Sequence, residues 1–356
     1  LWQNPYAVAR YYNVPLWSDE HFNAMRPIMK QLANAGQKII TASIMYKPWA
    51  GQTEDAFDSM VFQMKKLDGS WEYDYTVFDK WVEFMISMGV DKQINCFTLV
   101  PWELKFDYFD QATNRVQFIK AKPGEPAYTD YWYNFLKDFS RHLRTKGWFE
   151  RTTISMAERK PEMMQHAFEL ITKADPEYKV SGQGNYHPEI EPLMYDYCLA
   201  YGQNVPDDVR EARRKAGKIT TVYTCCTEAY PNVFTFSPPA EATWTILHAV
   251  AGDYDGYLRW AYNSWTKEPL LDSRFRTWAA GDCYLVYPGR SSIRMERLVE
   301  GVQNAEKIRI LREEYLAKGM TGKLKKLNEA VAKFVPENLT KDNAAEMVRA
   351  IGKILN

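Results

Sequence analysis

The sequence predicts an α/β fold: a (β/α)8 TIM-like barrel with a C-terminal helical extension. Two observations carry this. Strand-like and helix-like runs alternate regularly from residue 6 to residue 265, and no glycine-rich phosphate turn follows the first of them, where "ARYYNVP" stands instead. Regular alternation implies parallel strands with right-handed crossovers. Eight such units over about 265 residues suit a closed barrel, whereas an open doubly wound sheet usually carries the glycine-rich turn.

The elements follow in order. Residues 6–14 read as the first strand. A helix begins at Ser18, a fitting N-cap with acids in the first turn, and stops near Gly36, despite Pro27 inside it. The β-branched run 38–45 is a buried strand, 74–89 an amphipathic helix ending on glycine, and 93–102 the next strand. Two alternating runs around a polar turn make 105–121 an inserted hairpin. Helix 129–147 leads to the strand "TTISMAE", then helix 161–175 and strand 178–184. A short helix at 189–197, strand 198–203, a helix from 205, strand 219–226, a helix from 239 and strand 256–265 complete the eight. The amphipathic helix 291–316 and further helix to 356 form the extension, so the expected domains are a barrel over 1–290 and helices over 291–356 packed on it.

Composition narrows the function. The 45 basic and 45 acidic residues cancel and form no basic stripe, which argues against a nucleic-acid partner. No run of 18 apolar residues exists to span a membrane. Five cysteines without regular spacing make neither a disulfide framework nor a zinc site, and the five histidines show no metal-binding spacing, so no metal or cofactor is expected. The chain opens at Leu1 with neither Met nor a signal sequence, as a mature or trimmed form would. Aromatic residues reach 15%, with 12 Trp and 23 Tyr. Their flat faces suit both pyranose stacking and a thick barrel core.

In a barrel, the carboxyl ends of the strands form the active face. Counting places Glu158 at the fourth strand end, and the others supply Arg10, Tyr46, Trp102, Asn185 with His187, Gln203, Glu228, and the group Trp260, Asn263 and Trp265. A carboxylic acid in an aromatic pocket can protonate a leaving oxygen. Glycoside hydrolysis usually needs a second carboxylate, except where the acetamido oxygen of a 2-acetamido sugar is itself the nucleophile.

The segments "LWQNPYAVARYYNVPLWSDEHF", "AGQKIITASIM", "DGSWEYDYTVFDKWVEFMISMGVDKQINCFTLVPW", "ISMAERKPEMM" and "RWAYNSW…GDCYLVYPGRSSIRMERLVEGVQNAEK" resemble glycoside hydrolase family 123 up to about residue 315. The resemblance implies a retaining β-N-acetylgalactosaminidase that acts on terminal β-linked N-acetylhexosamine through an oxazolinium intermediate. It makes Glu158 the general acid/base of an Asp-Glu pair. Family members generally carry a β-sandwich domain before the barrel, which these residues do not include. The departure is Ala157, where the family has its polarising Asp. Three readings stand open: a deliberate Asp→Ala replacement, a natural glycan-binding pseudoenzyme, or an Asp supplied from elsewhere. The first is preferred because the remaining site residues read as intact. Strand-end position suggests Tyr223 as a donor to the acetamide, Trp260 and Trp265 as walls or else as barrel core, and Asn185, His187 and Arg10 as hydroxyl ligands. Glu158 and side chain 157 are expected to face a cleft lined by Tyr223 and Trp260. The substrate class implies a periplasmic or secreted enzyme whose partner is a glycan.

Overall fold

The computed structural model describes residues 1–203 and 205–356; Asn204 lies outside the described residues. The chain divides into two compact units. The amino-terminal unit is Gln3–Cys198 with Arg214–Lys218; the carboxy-terminal unit is Leu1–Trp2, Leu199–Arg213 and Ile219–Asn356.

The amino-terminal unit begins with helices α1 (Pro5–Tyr12) and α2 (Asp19–Asn34). The expected first strand at 6–14 is therefore a helix, and its start is local. Asn4 accepts the Ala7 N–H at 3.1 Å as N-cap, Pro5 occupies the first turn, and Asn13 closes the end in the left-handed region at φ 52°. In α2, Ser18 caps by accepting the His21 N–H at 3.2 Å, and Pro27 is tolerated within the helix.

There follow β1 (Ile39–Ser43), β2 (Phe62–Lys65), β3 (Trp71–Asp74), α3 (Thr76–Met88), β4 (Gln93–Phe97), β5 (Lys105–Asp110) and β6 (Arg115–Lys120). Next are α4 (Pro126–Thr145), β7 (Thr152–Met156), α5 (Pro161–Ala174), β8 (Lys179–Gly184) and β9 (Asp196–Ala200), the last of which crosses the unit boundary. The strands β1, β4, β7, β8 and β9 lie side by side in that order, with β1–β4, β4–β7 and β7–β8 all parallel. The predicted 105–121 hairpin is β5–β6, antiparallel from Lys105↔Lys120 to Asp110↔Arg115. An unexpected second hairpin, β2–β3, pairs Phe62 with Asp74, and β2 joins β5 to make a four-stranded sheet. Its aromatic rings face α4: Trp71 meets Tyr131 at 5.5 Å, Tyr73 meets Phe135 at 5.6 Å, and Phe106 meets Trp132 at 5.3 Å. Much of the aromatic content thus serves packing. The expected helix at 189–197 is only a 3-10 turn over Glu191–Leu193.

Polar side chains run across the parallel strands. Gln93 Nε2 donates to Asn95 Oδ1 at 2.8 Å and to Asp196 Oδ2 at 2.7 Å. Thr153 Oγ1 donates to the same Asn95 oxygen at 2.8 Å and meets Ser181 Oγ at 2.7 Å, and Ser181 in turn bonds Ser155. Every member is buried, and each finds a partner in the row, as low-dielectric surroundings require.

In the carboxy-terminal unit α6 (Asp207–Lys215) leads into β10 (Ile219–Tyr223), α7 (Ala240–Ala251) and β11 (Gly256–Leu258), with α6 itself crossing the boundary. β10 and β11 are parallel, with Tyr223 opposite Leu258. Both strands stop sooner than the runs 219–226 and 256–265 suggest. The extension is α8 (Ile293–Ala317), α9 (Thr321–Val331) and α10 (Ala344–Leu355). It packs on α7 through Trp244, Leu247, Ile308, Leu327, Phe334 and Ile351. Gly301 lets α8 close on α7: a Cβ there would fall 2.7 Å from Ile246 Cβ. Seven parallel strands among the described residues, interleaved with helices, give a mixed α/β, TIM-like fold; the segment expected as the first of eight strands is the helix α1.

Candidate active site

β7 is buried along its whole length, and Ala157 directly after it is only 2% exposed. Thr153 and Ser155 point their hydroxyls into the polar row, and counting on in twos brings position 157 to that same face. The chain then turns outward. Glu158 is exposed, Arg159 partly so, and Pro161 opens α5. The Glu158 side chain passes over the end of β8, where Gly184, at φ 143°, would place a Cβ 3.6 Å from Glu158 Cγ. Glu158 stands at the strand's carboxyl end in reach of solvent.

Trp102 lies in the loop after β4 and is 42% exposed. Arg159 reaches across to it, with Nη1 donating to the Trp102 carbonyl at 3.2 Å and the guanidinium carbon 5.3 Å from the ring centroid. The loop after β8 is pinned by Tyr197, whose hydroxyl donates to the Asn185 carbonyl at 2.5 Å and accepts the His187 N–H at 3.1 Å. Asn185 is exposed on this loop, and the half-buried His187 has Nδ1 3.7 Å from Glu189 Oε1. Trp102, Glu158 and Asn185 thus share one set of strand-end loops in this unit. Arg10 does not belong with them as read. It sits on helix α1, and its guanidinium is committed to Asp55, Nε to Oδ1 at 2.7 Å and Nη2 to Oδ2 at 3.0 Å.

In the carboxy-terminal unit Tyr223 ends β10, 7% exposed, with its carbonyl accepting the Tyr201 N–H at 2.9 Å. Trp260 is half-buried, and its Nε1 is 3.5 Å from Asp282 Oδ1. Asp282 forms a fully buried ion pair with Arg259, whose Nη1 also donates to Thr224 Oγ1 at 3.3 Å and to the Cys225 carbonyl at 3.2 Å. Arg259 therefore ties the residues following Tyr223 to those around Trp260. Burial pushes the Asp282 pKa up, against the lowering effect of Arg259. Sequence reasoning passed over this pair, although an arginine inside the apolar run "YLRWAY" was its signal. Asn263 and Trp265 must be reassigned. Both are fully buried, Trp265 donates its indole N–H to the Val286 carbonyl at 2.8 Å, and Asn263 pairs through its backbone with Tyr284. They are packing residues here, because neither presents surface to a ligand. Glu241, at the start of α7, is also buried; loss of hydration raises its pKa to about 7, although its Oε2 accepts the Asn232 N–H at 2.7 Å.

The described residues contain no helix long and apolar enough to cross a membrane. The family model for "Glycoside hydrolase 123, catalytic domain" matches residues 2–311. Among solved structures, a family 123 glycoside hydrolase from Clostridium perfringens, studied for glycolipid glycan hydrolysis, is 28% identical with a TM-score of 0.90. The match covers 100% of this chain and 67% of that one. The maltogenic α-amylase AmyB from Thermotoga neapolitana is 10% identical with a TM-score of 0.45, over 82% of this chain and 73% of that one, too distant to carry an argument. No match is found among curated proteins.

Proposed function

This chain belongs to the glycoside hydrolase 123 family, and from that premise we propose that its site is built to release terminal β-linked N-acetylhexosamine, N-acetylgalactosamine foremost, with retention at C1. The observation that carries the reading is the pair at the end of β7: an exposed Glu158 directly after a buried Ala157. In the proposed reaction the substrate's acetamido oxygen attacks C1 as the glycosidic bond breaks, and Glu158 gives its proton to the departing oxygen. Water then opens the oxazolinium ring at C1 and yields its proton to Glu158. A carboxylate at 157 would accept the acetamide N–H and offset the positive charge of the ring. Ala157 cannot do this, so the chain as it stands is an impaired form.

The second reading, a glycan-binding protein without turnover, is favoured by the same Ala157. Hydrolysis of an aryl β-N-acetylgalactosaminide by the protein and by its Ala157→Asp variant separates the two. The hydrolytic reading expects a gain of about 10²-fold or more, the usual worth of a group that stabilises transition-state charge. An inert Ala157→Asp protein that still binds N-acetylgalactosamine supports the binding reading. Absence of both turnover and binding with every acetamido sugar overturns both. We also propose a periplasmic or secreted location, where glycans of this class are met; immunodetection in fractionated cells of the source tests it.

A further inference from the structure

Among the described residues, no carboxylate pairs with the guanidinium of Arg159, the residue next to Glu158 in sequence. Among the described residues it forms no ion pair: Nη1 donates to the Trp102 carbonyl at 3.2 Å, and Nη2 reaches Met163 Sδ at 3.5 Å. The acids nearest in sequence, Glu158, Glu162 and Glu103, do not pair with it. Partial burial pushes its pKa down. Lys160 is exposed beside it, and the fourteen-residue helix α5 starts at Pro161 with its positive end toward the same loop.

The other half of the feature is Trp102. Trp102, 42% exposed in the loop after the neighbouring strand, offers a flat apolar face beside a charge that has no counter-ion among the described residues. A pyranose C–H face suits the ring, and an oxyanion suits the guanidinium, which binds carboxylate and sulfate through paired N–H donors. A neutral sugar would use only the ring.

We propose that Trp102 and Arg159 form the subsite for the sugar on the leaving side of the scissile bond, and that this sugar carries an oxyanion, as a hexuronate or a sulfate ester. The proposal rests on the reading that Glu158 protonates the glycosidic oxygen; Arg159 follows that acid directly, and its guanidinium reaches the loop after the neighbouring strand.

The test measures binding by the protein as it stands and hydrolysis by its Ala157→Asp variant. Three methyl glycosides serve as probes: β-GalNAc-(1→4)-glucose, β-GalNAc-(1→4)-glucuronic acid, and the first with a 6-O-sulfate on its glucose. The acidic probes are expected to bind about tenfold more tightly than the neutral one, as one charge-assisted contact allows. Arg159→Gln should abolish that ratio, and 0.5 M salt should shrink it. Trp102→Ala should weaken all three probes. Preference for the uronate alone or the sulfate alone identifies the source of the oxyanion. A ratio near one in the parent protein, or a ratio that survives Arg159→Gln, overturns the proposal and leaves the pair as a surface stack. If Ala157→Asp fails on the aryl substrate while the binding ratio appears, the hydrolytic reading fails and the acidic-sugar site stands as a binding site.

Discussion

Arg259 and Asp282 form an ion pair with no exposed side-chain surface on either partner. Their shared setting reaches both strand ends of the carboxy-terminal unit, through Thr224 and Cys225 on one side and Trp260 on the other. Removing one partner strands the other charge in a low-dielectric interior. Asp282→Ala is therefore expected to cost about 3–5 kcal/mol, and Asp282→Asn less, because the amide oxygen can still accept a hydrogen bond. Urea unfolding of the two variants checks the order; equal midpoints with the parent would refute it.

Glu241 makes stability depend on pH. Its folded pKa of about 7 lies above the ordinary 4.5, so the folded protein holds the proton more tightly than the unfolded chain. Its contribution is fully favourable below about pH 4.5 and is lost as pH rises toward 7, by about 3 kcal/mol. Glu241→Gln keeps an acceptor for the Asn232 N–H and removes the titration. The stability difference between variant and parent, followed by denaturant unfolding from pH 4.5 to 8, should grow in favour of the variant. The raised Asp282 and lowered His248 are common to both proteins and cancel in that difference.

Gly301 is where α8 lies hard against α7. A methyl group there meets Ile246 Cβ at 2.7 Å and the Thr243 carbonyl at 3.2 Å. Gly301→Ala gains up to about 1 kcal/mol of helix propensity, against about 1–3 kcal/mol for overpacking. The expected sum is a lower melting temperature, unlike Gly352→Ala in α10, where nothing lies within 4 Å of the new carbon and stability should rise.

If Glu158 is the acid, its removal depends on the leaving group. In the Ala157→Asp background, Glu158→Gln should lower hydrolysis of a sugar aglycone by about 10²–10⁴-fold. A nitrophenyl aglycone needs less protonation and should suffer less in the first step. Steady-state rates on the two substrates decide; identical losses would assign Glu158 a different role.

The legible parts of this fold were those with a period or a cap. Helices α2 to α5 and the strands β1, β4 to β9 announce themselves through alternation, β-branched runs and glycine or serine boundaries. The misread segment, α1, has Asn4 before it, Pro5 in its first turn and Asn13 after it, a capping pattern that outweighs the mostly apolar look of residues 6–14. The β2–β3 hairpin carried its own signal in Asp68-Gly69, with Gly69 at φ 81°. Site residues were less legible, because strand-end position says where a residue begins and not where its side chain goes. Glu158 and Trp102 reach the surface; Trp265, from an equally aromatic run, donates to Val286 and disappears into the core. Arg10 was misplaced by the same error that turned its helix into a strand.

The buried row across β4, β7 and β8 runs in one direction. Gln93 gives a proton to Asn95, so Asn95 presents its oxygen, and the Thr153 hydroxyl spends its own proton there. Ser181 must then donate to Thr153, and Ser155 to Ser181. The Thr153 and Ser155 protons thus run across the sheet to the partners level with them, and the Ser181 proton runs back toward the amino end of β7. Ser155, two residues before position 157, is thus joined through Ser181, Thr153 and Asn95 to the Gln93 amide at the start of β4.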